Sequence, residues 1–272
     1  MRRLDATQSE AGEMGCVFLG QQVADLGPTA ITASRYRRAR SLTLVPRAKT
    51  RLSLMTWHRM IDWVSAELAP PSYRFVAAGG VQAGWLVCQR PQPGDDQDLY
   101  EAVMASLDHL RPWMPWTRGY TPQTATEFVE RHSGQADQTP VDDAPYVIRD
   151  RHGRLLGGCG LHARLGAHRL EIGYWVDVRH TRRGVATLAS AALTELALTI
   201  PELTVVEIHH DQANLASAAI PAKLGYEHVA SCRDTPDAPG EIGIEWHWRM
   251  SRADWPNSPG AQFLAAARRT TP

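Results

Sequence analysis

The sequence predicts an α/β (α+β) fold, a mixed sheet with helices on both faces, and three features of the chain carry that prediction. Three strands joined by short turns make an antiparallel meander between residues 145 and 177. A long helix and a strand, helix, strand run follow the meander, and a pair of helices precedes it. The composition supports a packed core, with 43% hydrophobic and 21% charged residues.

The elements emerge in order from residue 85. A short strand at Trp85 to Gln89 stops at Pro91 and the Pro93-Gly94 pair, and Asp95 or Asp96 starts a helix through about Leu110, with Leu99, Val103, Leu107 and Leu110 at helical spacing. A second helix is expected at Thr124 to Arg131, then a polar loop from Ser133 to Asp143. The meander strands are Pro145 to Arg149, Leu155 to Ala163 and Arg169 to Asp177. In the last, Leu170, Ile172, Tyr174 and Val176 share one face, and Glu171, Gly173 and Trp175 share the other. A helix follows from Gly184 to about Leu198, then a strand at Thr204 to His209, a helix from Asn214 to about Leu224, and closing strands near Tyr226 to Cys232 and Ile242 to Met250.

Residues 1–82 are Arg-rich and alternate poorly, so they are expected to be an extension of unknown fold, with one helical candidate at Thr56 to Leu68. Residues 83–252 form the domain, and 253–272 are expected to be a tail. With 29 basic and 29 acidic side chains no global field draws the chain to nucleic acid or to a membrane. Cys16, Cys88, Cys159 and Cys232 lie far apart with no metal or redox spacing, which reads as reduced thiols and no metal site. No apolar run approaches the ~18 residues of a membrane span, and the apolar stretch at Gly15 to Leu19 is too brief for a signal sequence, so a cytoplasmic location is expected.

The stretch from Arg179 to Thr187 is chemically odd. Cations at a helix N-terminus oppose its dipole by roughly 0.3–1 kcal/mol each, so Arg179, Arg182 and Arg183 are unfavourable there unless an anion sits among them. A pyrophosphate removes the conflict, because the free N–H groups of the first turn, with Gly184 allowing close approach, make a phosphate cradle.

Thr181-Arg182-Arg183-Gly184-Val185-Ala186 resembles the Q/R-x-x-G-x-G/A motif of the GNAT superfamily of acyl-CoA N-acyltransferases, with Thr181 in place of the usual Gln or Arg. Ser106 to Trp116, and Asn214-Leu215-Ala216-Ser217 leading to Lys223-Leu224-Gly225-Tyr226, are similar to its RimJ/RimL-type branch. The resemblance spans roughly Trp85 to Ser251 and leaves out the first eighty residues.

The resemblance implies a GNAT-like, mostly antiparallel sheet of six to seven strands, with a splayed cleft between two central strands, here those ending at Asp177 and His209. It implies acetyl-CoA as acyl donor, held by Trp175, Val176, Asp177, Val178, Arg182, Arg183, Gly184, Val185, Ala186, Thr187 and Asn214. The partner is a primary amine, from a protein N-terminus or a small molecule, attacking the thioester directly in a monomer or homodimer. Glu207 is the first candidate for the base, with Glu171, His162 and His209 as alternatives that also line the acceptor side. The tyrosine that many relatives place seven residues after the motif asparagine is Pro221 here, so Ser217 is expected to serve the departing thiolate. Trp113 and Trp116 are expected to wall the acceptor side. The alternative function is a CoA-binding sensor or partner module without catalysis.

Overall fold

The computed structural model describes residues 16–18, 81–133 and 143–270. Nine strands form one sheet: β1 (Cys16–Phe18), β2 (Val81–Ala83), β3 (Leu86–Gln89), β4 (Asp143–Asp150), β5 (Leu155–His162), β6 (Arg169–Val176), β7 (Val205–Asp211), β8 (Glu227–Arg233) and β9 (Ile244–Ser251). They lie in the order β1-β8-β9-β7-β6-β5-β4-β3-β2. The β6–β7 pair is parallel, and the other neighbours are antiparallel. The sheet thus exceeds the six to seven strands expected, because the three-residue strands β1 and β2 add to its two edges, too short for alternation to show in the sequence. The predicted helix at Thr56 to Leu68 and most of the polar loop from Ser133 to Asp143 lie outside the described residues.

Helices α1 (Asp95–Ala105), α2 (Leu107–Leu110) and α3 (Pro122–His132) come before β4. The single helix expected from Asp95 to Leu110 is broken at Ser106, whose hydroxyl accepts from the Val178 N–H at 2.9 Å and so ties this turn to the end of β6. Leu99, Ala102, Val129, Val147 and Leu155 form a small core between α1, α3 and one sheet face. On the other face lies α4 (Val185–Leu198), rich in alanine and leucine and buried almost all round. Short alanines favour the helix and let it lie close to the strands. Helix α5 (Leu215–Leu224) ends at Gly225, whose φ of 81° suits a glycine cap.

Residues 253–272 are not a simple tail. Helix α6 (Pro259–Arg269) is capped by the Ser258 hydroxyl, and Trp255 and Leu264 enter the main core beside α4. Nor are all four cysteines reduced: Cys88 and Cys159 are free and buried, whereas Cys232 is disulfide-bonded. Among the described residues no helix is long and apolar enough to cross a membrane.

Candidate active site

Strands β6 and β7 pair only at Arg169–Val205, Leu170–Val206 and Glu171–Glu207. Beyond Glu171 and Glu207 they part, leaving Ile172–Val176 and Ile208–Asp211 as the two arms of a cleft. At the far end of the β6 arm the chain turns through Asp177 into α4. Arg179 does not join the free cations there: its guanidinium and backbone N–H clamp the fully buried Asp177 carboxylate at 2.5–3.0 Å, which fixes the turn. Burial works against the Asp177 charge, but these bonds outweigh it and hold its pKa below the ordinary value. Arg182 and Arg183 remain exposed.

Arg182 has φ 58° and Gly184 φ 79°. A left-handed arginine is strained and uncommon, and the alternation of hand turns successive N–H groups into one concavity. A side chain at Gly184 would meet nothing within 4 Å, so the space in front of the first turn of Val185, Ala186 and Thr187 is open. The first-turn N–H groups of any α-helix lack intrahelical acceptors. The arrangement therefore fits a diphosphate.

Ser217 lies on the first turn of α5. Asn214 caps that helix, its Oδ1 accepting from the Ser217 N–H at 3.1 Å, so its side-chain oxygen is already engaged. Tyr174, from β6, reaches the same turn: its hydroxyl is 3.0 Å from Ser217 Oγ and donates to the Ser217 carbonyl at 3.1 Å. Burial pushes the Tyr174 phenol well up, so it stays protonated.

A cavity of about 590 Å³ opens between the arms and the α1–α3 face. Gly158 and Gly160 of β5 and Gly173 of β6 floor it. A methyl group at Gly158 would strike the Trp175 indole at 2.5 Å, and one at Gly173 the His162 imidazole at 2.9 Å, so both rings lie flat on the sheet. Trp116 meets Trp175 edge-on with centroids 6.0 Å apart, and Trp113 and Tyr120 complete that wall. The β8–β9 connection also lines the cavity and meets that same turn, where the Gly240 N–H donates to the Pro112 carbonyl at 2.9 Å. His162, Glu171 and His209 also line the cavity, whereas Glu207 does not.

Cross-strand register sets Asp143, His162, Glu171, Glu207 and Arg249 in one row over β4, β5, β6, β7 and β9. His162 Nδ1 is 2.7 Å from Asp143. Glu171 is gripped by Arg164 through both oxygens. Burial penalises its charge, but Arg164, His209 and His162 outweigh the penalty and lower its pKa to about 2. Glu207 is 2% exposed, bonded to Arg249 at 2.9 and 3.1 Å and to His209 Nε2 at 2.7 Å, with Arg169 at 3.4 Å. Its pKa, too, is lowered to about 2 against the cost of burial, chiefly by His209. The first-choice base is thus an ionised carboxylate held behind His209 rather than at the cavity surface. The ring of His247, from β9, stacks on His209 at 3.9 Å and 5°, and bonds Glu245 at 2.8 Å. Glu207, His209 and His247 offer ligand atoms within 4.8 Å of one another. Face-to-face rings, however, hold their lone pairs in parallel planes that do not meet at one ion.

A family model described as an acetyltransferase (GNAT) domain matches residues 86–227, just over half of the chain. The chain belongs to the GNAT acetyltransferase family. Its fold is that of solved members. Mycobacterium smegmatis RimJ in complex with CoA-disulfide superposes with a TM-score of 0.59 at 21% identity, over 70% of this chain and 92% of that one. RimL, a ribosomal L7/L12 alpha-N-protein acetyltransferase solved with coenzyme A, gives 0.54 at 12%, over 63% and 97%. The microcin C7 self-immunity acetyltransferase MccE, solved with acetyl-CoA and AMP, gives 0.54 at 14%, over 68% and 99%. No curated protein sequence matches the chain.

Of the residues expected from the sequence, Trp113, Trp116, His162, Glu171, Trp175, His209, Asn214 and Ser217 line the cavity, residues 182–187 stand apart from it at the start of α4, and Glu207 and Arg179 lie one layer back. Tyr174, Glu245 and His247 join the site without a motif to mark them in the sequence. In the sequence Tyr174 is one more apolar position in the alternation of β6. Glu245 and His247 alternate with Trp246 and Trp248 along β9, which gives them one shared face, and the pairing of Glu207 with Arg249 sets that face beside Glu207.

Proposed function

We propose that this chain transfers an acetyl group from acetyl-CoA to a primary amine in one ternary complex. The parting of β6 and β7 after Glu171 and Glu207 carries this reading, because it joins an open phosphate cradle at Gly184 to an acceptor cavity through one gap in the sheet. The fold likeness to proteins solved with CoA or acetyl-CoA supports the donor.

Arg182, Arg183 and the N–H groups from Gly184 to Thr187 hold the diphosphate, and the backbone of Trp175, Val176, Asp177 and Val178 accompanies the pantetheine along the β6 arm. Asn214 shapes the opposite lip by fixing the start of α5. A backbone N–H of β6 polarises the thioester carbonyl as charge develops on its oxygen. Holding both reactants in one gap supplies most of the acceleration. The amine nitrogen bonds to the carbonyl carbon and the carbon–sulfur bond breaks. Two protons leave the nitrogen: one reaches solvent, and the other reaches the sulfur by exchange at Ser217, whose hydroxyl gives its proton to the sulfur and takes the nitrogen's in return, with the Tyr174 hydroxyl holding the serine in place. Trp113, Trp116 and Trp175 accommodate the body of the acceptor.

Thiol release from acetyl-CoA, followed against a panel of peptide and small primary amines, tests the reading. Amine-dependent release with the acetyl group recovered on nitrogen is the expected result. Tight CoA binding without release for any amine would favour the sensor function instead.

A further inference from the structure

We infer that His209 Nδ1, Glu171 and Glu245 form a three-sided cage for the acceptor's protonated amine, and that His209 takes its proton. The inference rests on the acetyl-transfer reading and names the part of the site that binds and activates the acceptor. It begins with the tautomer of one ring. Glu207 is an ionised carboxylate and can only accept, so the 2.7 Å contact with His209 Nε2 puts the proton on Nε2. In the neutral ring Nδ1 is then a bare acceptor. The His209 side chain is 8% exposed, and Nδ1 has no hydrogen-bond partner among the described residues. Two more acceptors stand near it, Glu245 Oε2 at 3.8 Å and Glu171 Oε2 at 4.0 Å.

Glu171 Oε2 already accepts from Arg164, and Glu245 Oε2 is bonded to His247, each with a lone pair to spare, but neither can give Nδ1 a proton, so the three together call for a group with several donors. A primary ammonium carries three N–H bonds and one positive charge. Seated among the three it gives each acceptor a proton. The cage stands where β6 and β7 begin to part, His209 being the first residue beyond Glu207 on that face of the β7 arm. A deprotonated nitrogen formed there is at the mouth of the gap that takes the thioester. Glu207 is the positioning residue: it touches no substrate, but it holds the tautomer and stabilises the imidazolium that results. The imidazolium gives that proton up to solvent through the cavity that His209 lines, while His247, stacked on the ring and bonded to Glu245, holds its plane.

Several charges bear on His209. Glu207 lies on its own strand, with Arg249 and Arg169 behind it. Glu171, clamped by Arg164, faces it from β6, and Glu245 and His247 face it from β9. Burial pulls the imidazole pKa down, but the bond to Glu207 and the charges of Glu171, Glu245 and Glu207 outweigh it, so the net shift is upward from 6.5.

The test is the pH profile of kcat/KM for the α-amine of a dialanine amide and for the ε-amine of an Nα-blocked lysine amide, whose ordinary pKa values differ (~7.7–8.0 against ~10.4). The wild type is expected to show one acid limb above 6.5, at the same pH for both amines, because the ammonium form binds and the enzyme's own base titrates. His209→Gln removes that limb and lowers kcat by roughly 10²–10⁴-fold. Glu207→Gln keeps the limb but moves it to lower pH, which a merely structural residue would not do. Glu245→Gln raises KM for the amine, while calorimetry shows acetyl-CoA affinity, and hence the fold, preserved in all three variants. A limb that follows the pKa of each amine, or one that survives His209→Gln, overturns the cage and leaves acetyl transfer standing. Absence of thiol release from the wild type with every amine overturns both.

Discussion

The Tyr174 hydroxyl meets Ser217 twice, at Oγ and at the carbonyl oxygen. The second contact has a cause four residues further on. Pro221 lies inside α5 and has no N–H to give the Ser217 carbonyl. The tyrosine from the neighbouring strand fills that vacancy. The residue that takes the place of the helix tyrosine usual in relatives thus also creates the acceptor that draws a different tyrosine to the serine.

Tyr174→Phe is therefore expected to act on both stability and turnover. It leaves the Ser217 carbonyl without its donor, at a cost of about 1–3 kcal/mol, and lowers kcat by about 10²-fold, the small end of proton-transfer contributions. Ser217→Ala is expected to lower kcat similarly with little change in melting temperature, since the carbonyl keeps its partner. Thermal melts beside steady-state kinetics separate the two effects; an unchanged kcat in both variants would remove the pair from the reaction.

Gly184→Ala probes the cradle. The added methyl group has open space, so only the backbone objects: φ of 79° is left-handed, and a side chain there costs roughly 1–2 kcal/mol. The domain is expected to lose about that much in urea denaturation, and CoA affinity, measured by calorimetry, is expected to fall. Equal affinity would show that the N–H groups at this turn do not hold the ligand.

Acid should weaken the sheet through Glu171 and Glu207. Each titrates near 4.5 when unperturbed and at about 2 in the folded protein. Their stabilisation is therefore complete above about 4.5 and is lost as pH falls from there toward about 2. His209 has the opposite sign, since its raised pKa stabilises the fold below 6.5 and that contribution fades as pH rises through the folded value. Denaturation midpoints between pH 6 and pH 3 are expected to fall steeply for wild type and less steeply for Glu207→Gln. Identical slopes would contradict the ionised, paired state of Glu207.

Trp116 is 43% exposed and contributes little to the core. Trp116→Ala is expected to leave the melting temperature nearly unchanged and acetyl-CoA affinity intact, while raising KM for bulky amines more than for small ones. A uniform loss across acceptors of every size would place the tryptophan outside the acceptor wall.

Most of this architecture is legible in the sequence. Alternation along β6 gave the correct faces for Tyr174 and Trp175, and Gly184 with its arginines marked the helix start that the structure shows. Three things escaped, each because it depends on contacts that residue type and spacing do not show. Arg179 counts as a cradle cation in the sequence, yet Asp177, two residues away, claims it. Glu207 has the right strand and the right chemistry for a base, yet its neighbours on β6 and β9, which only the register reveals, surround it. Helix α6 follows a segment with little strand signal, and its burial follows from the fit of Trp255 and Leu264 into the main core.

A crystal structure of the protein with CoA tests the central claim most directly. The account predicts the diphosphate on the N–H groups between Gly184 and Thr187, the pantetheine between the β6 and β7 arms, and the sulfur within reach of Ser217. CoA density on another surface, or a diphosphate at this turn with the gap between the arms still closed to the thiol, would contradict it.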